Sequence, residues 1–170
     1  MKWTAFTAII GGLVMTFSCG DPENFSERFE RKAEWAASAF HAPVLSQSEL
    51  AEDPQDYLIV DTRSEEEFAV SRLPGCVNWP AYQTSELPEE VNQAAASGKP
   101  IVFYCSIGYR SGEAAMRAIR LLETQSPIYN VRGGVFQWAN EDRPLEGSDR
   151  VHGFDQEWIQ FLRPEKRHPL

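Results

Sequence analysis

Two short runs, Tyr57-Leu58-Ile59-Val60 and Ile101-Val102-Phe103-Tyr104, constrain this chain more than any other feature. Each is apolar throughout, too short for a helix and without the alternation of a half-exposed strand. Such strands must be covered on both faces. Ile128 to Val131 reads as a third strand, and Val77-Asn78-Trp79 as a brief one before Pro80. Helical signals lie between them. Ser64 caps a short helix through Val70, with Glu65, Glu66 and Glu67 in its first turn, where carboxylates face the helix dipole favourably. That acidic triplet reads as solvated surface. Pro88 to Ala96 is helical and Gly98 stops it. Another helix follows Gly112, with Ala115, Ile119 and Leu122 as an apolar stripe that Ala118 and Leu121 widen. Gly133-Gly134 opens a turn into Val135-Phe136-Gln137-Trp138. Strands alternating with helices at this spacing predict an α/β fold, a central mostly parallel sheet with helices on both faces.

The chain's 170 residues suit one domain with a little extra, and five Trp with ten Phe supply a core. A net charge of -9 disfavours nucleic acid and anionic lipid as partners through general electrostatics. His41, His152 and His168 share no ligand spacing with each other or with a cysteine, so neither a metal nor a cofactor is expected.

The N-terminus is a separate unit. Lys2 precedes an uncharged, mostly apolar run from Trp3 to Phe17, then Ser18-Cys19-Gly20. The run is short for a membrane span and has the shape of a secretory signal over residues 1–19. Cys19 stands where a bacterial lipoprotein carries its lipid, and Met15-Thr16-Phe17-Ser18 resembles a lipobox in which Thr16 replaces the usual aliphatic residue. The expectation is export to the periplasm or cell envelope, with lipid on Cys19 as the only membrane contact. An uncleaved anchor and simple cleavage near Ser18 are the alternatives. Residues 22–42 follow as an added N-terminal helix: Phe25, Phe29, Ala33, Ala36 and Phe40 share one face until Pro43 breaks it. Such a helix is a clamp on the domain or a stalk from the membrane.

Two cysteines remain. Cys76 follows Pro74-Gly75 and reads as a small buried side chain entering a strand. Cys105 is different. It sits between a buried strand and a helix, at the end of a parallel sheet where ligands bind and unpaired helix N–H groups favour a thiolate. Gly108 allows a tight path that can turn amides toward one point, Ser106, Tyr109 and Ser111 add hydroxyls, and Arg110 adds a permanent cation. Thiol, glycine and arginine within six residues point to a nucleophile more than to core packing.

Those residues carry a resemblance. Leu58-Ile59-Val60-Asp61-Thr62-Arg63 with Glu66-Glu67-Phe68, then Leu73-Pro74-Gly75-Cys76-Val77-Asn78-Trp79-Pro80, then Cys105 to Ser111, and finally Gly133-Gly134-Val135-Phe136-Gln137-Trp138 resemble, in order, the signatures of the rhodanese-like (sulfurtransferase) family. The likeness runs from about Val44 to Leu145, which suggests a rhodanese-like domain over 43–147 and a C-terminal extension over 148–170. Cys76 stands where alanine is usual, and Leu73 where isoleucine is. The resemblance implies that Cys105 attacks the outer sulfur of a donor such as thiosulfate, becomes a persulfide, and yields the sulfur to cyanide or a thiol. It implies that Arg110 attracts the anionic donor and that the loop residues Ser106, Ile107, Gly108, Tyr109 and Ser111 form the substrate site. Asp61 and Arg63 would be a structural pair flanking the pocket. Partners would be a small sulfur-containing anion or a protein thiol.

Loop length separates neighbouring chemistries. Four residues lie between Cys105 and Arg110, whereas the related phosphatases and arsenate reductases use one more to make room for a tetrahedral oxyanion. Three alternatives stay open beside sulfur transfer. They are a binding or sulfur-delivery module without efficient turnover, a thiol redox role shared by Cys76 and Cys105, and, disfavoured by the loop, an arsenate reductase or phosphatase.

Overall fold

A computed structural model describes residues 24–84, 86–122 and 124–170, so the apolar N-terminal run and Cys19 lie outside the described residues. Helix α1 (Phe25–Ser38) starts at Asn24, whose side chain accepts the Glu27 amide at 2.9 Å. A short strand β1 (Val44–Leu45) follows, then α2 (Gln47–Glu52), β2 (Leu58–Asp61) and α3 (Glu65–Val70). Strands β3 (Ser71–Arg72) and β4 (Val77–Asn78) lead to α4 (Glu89–Ser97), which ends on Gly98 in the left-handed conformation. Strand β5 (Ile101–Tyr104), helix α5 (Tyr109–Leu121), strand β6 (Ile128–Val131) and helix α6 (Gly134–Asn140) complete the alternating part. Beyond it lie β7 (Glu146–Gly147), β8 (Val151–His152) and β9 (Arg167–His168).

The central sheet has five strands in the order β1-β6-β5-β2-β4, and every neighbouring pair is parallel. β5 is its middle strand, and all four of its residues are fully buried. The strand period sends Ile101 and Phe103 to one face, against Val91 of α4 and Ala114, Ala115 and Ala118 of α5. Val102 and Tyr104 go to the other, among Leu50, Leu73, Val135 and Phe136. Burial of such side chains contributes about 1.5–3 kcal/mol each, so β5 anchors both layers. The fold is therefore the expected α/β arrangement, covered on both faces.

Outside the alternating part, α1 packs on α5 and on the 3₁₀ turn Ile159–Phe161, and its Phe29, Ala33 and Ala36 join the same core as Val102, Val151 and Leu162. That is clamp geometry. The tail is tied down by a parallel β8–β9 pair, while β3 and β7 pair antiparallel beside the sheet. Three details depart from expectation. α1 ends at Ser38, before Phe40, and Phe25 at its first turn is half exposed. Leu121, the last residue of α5, is exposed although it shares the side of Ala114 and Ala118. β1 is too short to leave a pattern in the sequence; it is held by β6, where Val44 pairs with Asn130.

Because all five strands run the same way, the turn after β2 and the loop after β5 emerge side by side. Asp61 is in register with Tyr104, and the Thr62 amide donates to the Tyr104 carbonyl at 2.9 Å.

Candidate active site

The loop Cys105-Ser106-Ile107-Gly108 carries the chain from β5 into α5, and its path is fixed from three sides. The first is α6. The amides of Val135 and Phe136, in its opening turn, donate to the carbonyls of Cys105 and Ser106 at 2.9 and 3.0 Å. Helix N-termini have spare N–H groups, and here they hold another loop. Gly134, at φ +50°, makes the approach feasible: a Cβ there would lie 2.2 Å from the Cys105 carbonyl oxygen. The second side is β6. Asn130 is fully buried; its Nδ2 donates to the Gly108 carbonyl at 2.9 Å and its Oδ1 accepts the Ser111 hydroxyl at 2.7 Å. The third is internal. Gly108, at φ +111°, turns its amide back to donate to Cys105 Sγ at 3.2 Å.

Ser111 therefore does not reach the substrate space. It is fully buried with its hydroxyl committed to Asn130, a consequence of its place on the inner side of α5. Ser106, Ile107 and Tyr109 do line a cleft of about 460 Å³ with Cys105 at its floor. Gly108 contributes its amide rather than a wall.

Arg110 is held by Glu67, a member of the acidic triplet whose pattern alone implies solvated surface. Its two terminal nitrogens donate to the two carboxylate oxygens of Glu67, each at 2.7 Å, and Nη2 also donates to Ser106 Oγ at 2.9 Å. Glu67 is buried, and its Oε2 also accepts the Ser64 amide at 3.1 Å in the capping box of α3. The acidic triplet is thus not one solvated surface: the helix turn points Glu67 inward while Glu65 and Glu66 stay outside. Burial opposes the charge of Glu67, but the hydrogen bonds and charge of Arg110, aided by Arg63, prevail and hold its carboxyl below the usual range. Burial likewise works against Arg110, and Glu67 more than compensates, so the guanidinium is charged throughout.

Asp61 and Arg63 form a fully buried ion pair at 2.6 Å, with Arg63 also donating to the Ser71 carbonyl. The Tyr104 hydroxyl donates to Asp61 Oδ2 at 2.6 Å and accepts the Leu73 amide. This network is structural: Asp61, Arg63 and Tyr104 are not among the residues that line the cleft, and Arg63 acts on the site through its charge on Glu67. Cys76 belongs to it: its sulfur is 3.3 Å from the Tyr104 hydroxyl. Burial pushes its thiol up to about 12, despite the Tyr104 hydrogen bond. Cys76 and Cys105 are both free thiols.

The match of the rhodanese-like domain family to residues 46–141 covers more than half of the chain. The chain belongs to the rhodanese-like domain family. Curated relatives sharpen the comparison. A protein named sulfurtransferase from Allochromatium vinosum is 29% identical over 104 residues, which is 59% of this chain and 88% of that one. A tRNA uridine(34) hydroxylase from Bordetella pertussis is 30% identical over 90 residues, 51% of this chain, but spans only 36% of that protein. A solved rhodanese-related protein from Thermoplasma volcanium superposes with a TM-score of 0.50 at 22% identity, covering 61% of this chain and 96% of that one. That likeness speaks to the rhodanese-like fold.

Several site residues are not singled out by the motifs of the sequence. Glu67 had a signal, since Ser64 followed by glutamate three residues on is a capping box. Asn130 had one too, as an amide within an apolar strand. Tyr82, Phe154 and Trp158, which complete the cleft, had none.

Proposed function

We propose that this rhodanese-like protein is a sulfurtransferase in which Cys105 carries sulfane sulfur as a persulfide. The observation that supports this most is the Gly108 amide donating to Cys105 Sγ at the floor of a cleft, in a loop that other elements hold rigid. The Cys105 thiolate attacks the terminal sulfur of a donor such as thiosulfate. The donor's sulfur–sulfur bond breaks, sulfite leaves with the electron pair, and a Cys105 persulfide remains. An acceptor thiolate then attacks the outer sulfur, taking it as its own persulfide and returning Cys105 to the thiolate. The Gly108 amide and the N-terminus of α5 offset negative charge on the sulfur in both steps. Arg110, paired with Glu67, fixes the far end of the loop. Its four-residue separation from Cys105 suits a single sulfur atom better than a tetrahedral oxyanion. The relative named as a sulfurtransferase is consistent with this chemistry. We also propose, from the N-terminal run, that the protein works in the cell envelope. An intact mass of the exported protein lacking residues 1–18, with or without added lipid on Cys19, is the expected result; a full-length chain would contradict it.

The reaction is tested by thiocyanate release from thiosulfate and cyanide. Turnover by the wild type and loss to background in Cys105→Ser is expected. Equal turnover in the two would refute the role of Cys105.

A further inference from the structure

The cleft over Cys105 is built for something larger than an inorganic anion. Its volume of about 460 Å³ falls within the range of organic-ligand sites, about 300–1,000 Å³. Ile107 and Cys105 form the floor, and four rings form the walls: Tyr82, Tyr109, Phe154 and Trp158. Arg110 is the one charged residue among the described lining residues, and Glu67 already satisfies it in a two-point pair. With Arg110 so paired, a singly charged donor is matched better than dianionic thiosulfate, which still reacts. A ring-bearing molecule would find stacking surfaces.

Those rings are fixed in place. Tyr109 stacks on Trp35 of α1 at 5.2 Å with planes 10° apart, and the edge of Phe40 meets it at 5.0 Å. Trp158 packs on Phe161 and lies 4.4 Å from the Lys32 ammonium. The Tyr82 hydroxyl donates to Glu113 at 2.6 Å. Phe154 is the most telling. Its backbone has φ +68°, a conformation bulky residues rarely adopt, and its amide donates to His152 Nδ1 at 3.0 Å. That backbone holds the ring 4.8 Å from the Arg110 guanidinium, in the cleft wall, with about half of the residue exposed. Phe154 and Trp158 of the wall, and Trp35 and Phe40 behind Tyr109, lie outside residues 46–141, so half of the aromatic wall is an addition to the family domain.

Resting on the sulfur-transfer reading, we infer that the cleft selects a sulfane-sulfur donor with an apolar, ring-sized organic body and a single negative charge at its terminal sulfur. A thiosulfonate, R–SO₂–S⁻, has this chemistry. The Cys105 thiolate attacks the terminal sulfur, the sulfur–sulfur bond breaks, the sulfinate R–SO₂⁻ leaves with the pair, and the Cys105 persulfide keeps the remaining charge.

Methanethiosulfonate and benzenethiosulfonate share the reacting group and charge and differ only in body. The test compares the rates at which each loads sulfur on Cys105, both normalised to reaction with a free small thiol. The wild type should prefer the benzene compound about tenfold, the effect on a barrier of one added aromatic contact. The preference should fall toward unity in Trp158→Ala and in Phe154→Gly, the latter suited to the positive φ and so safe to fold. Equal normalised rates in the wild type, or an undiminished preference in Phe154→Gly, would overturn the inference and leave sulfur transfer standing. Failure of both compounds to load Cys105 would overturn the sulfur-transfer reading and this inference together.

Discussion

Glu67 and Arg110 meet through two hydrogen bonds of 2.7 Å, with the carboxylate side chain 3% and the guanidinium side chain 18% exposed. Removing one member leaves the other buried without compensation, which costs roughly 3 kcal/mol or more. Glu67→Gln should therefore lower the stability of the fold by about that amount in a denaturant titration. The pH dependence follows from the direction of the shift. A carboxyl whose folded pKa lies below its unfolded one contributes fully above the unfolded value, about 4.3 for glutamate, and loses that contribution as pH falls further. The wild type should thus lose stability below about pH 4.3 more steeply than Glu67→Gln. Parallel slopes would mean that the pair adds nothing. Cys76 is the residue to contrast with Cys105. With its thiol pushed up to about 12 and its sulfur against Tyr104, it should resist alkylation in the folded protein at neutral pH. Rapid labelling of Cys76 would reopen a redox role for the pair of cysteines.

Among the elements, the contact between α6 and the Cys105 loop is the most exacting. Gly134→Ala would force a methyl group against the Cys105 carbonyl oxygen in a backbone region that alanine avoids. It should unseat the loop, lowering thiocyanate formation at least tenfold and stability by about 2 kcal/mol or more, since strain and lost hydrogen bonds both enter. A variant with wild-type rate would show that α6 does not position the loop. This contact also marks what the sequence could disclose. The strand–loop–helix at Cys105 and the parallel sheet were legible because an all-apolar four-residue strand and a glycine-bearing turn have few other uses. The glycine pair at 133 and 134 was visible as a turn, but not as the place where α6 amides grip the loop, because its partner is distant in the chain. Ser111 looked like a site hydroxyl because spacing says nothing about which side of α5 faces Asn130. Glu67 was hidden by its neighbours: three consecutive glutamates read as one exposed surface until the helix separates them.

In the molecule as a whole, α1 and the C-terminal tail share a core with the sheet. Phe29, Ala33, Ala36 and Leu162 are buried in one cluster with Val102 and Tyr104. Stability should therefore be cooperative across these segments, and amides in the middle of α1 should exchange with deuterium at rates close to those of β5. Exchange in α1 orders of magnitude faster would make it a loosely attached stalk, and the aromatic wall it backs through Trp35 would lose its rigidity. Sequence periodicity found this helix but could not choose between clamp and stalk. The choice depends on Tyr109, Trp158 and Phe161, which meet α1 only once the chain has folded.

Sulfur on Cys105 is the claim on which the rest depends. Peptide mass mapping after exposure of the reduced protein to a sulfane donor, with thiols then blocked, tests it directly. The peptide bearing Cys105 should gain one sulfur atom and lose it on treatment with cyanide, while the peptide bearing Cys76 stays unchanged. No gain on Cys105 with any sulfane donor, or a gain confined to Cys76, would contradict it.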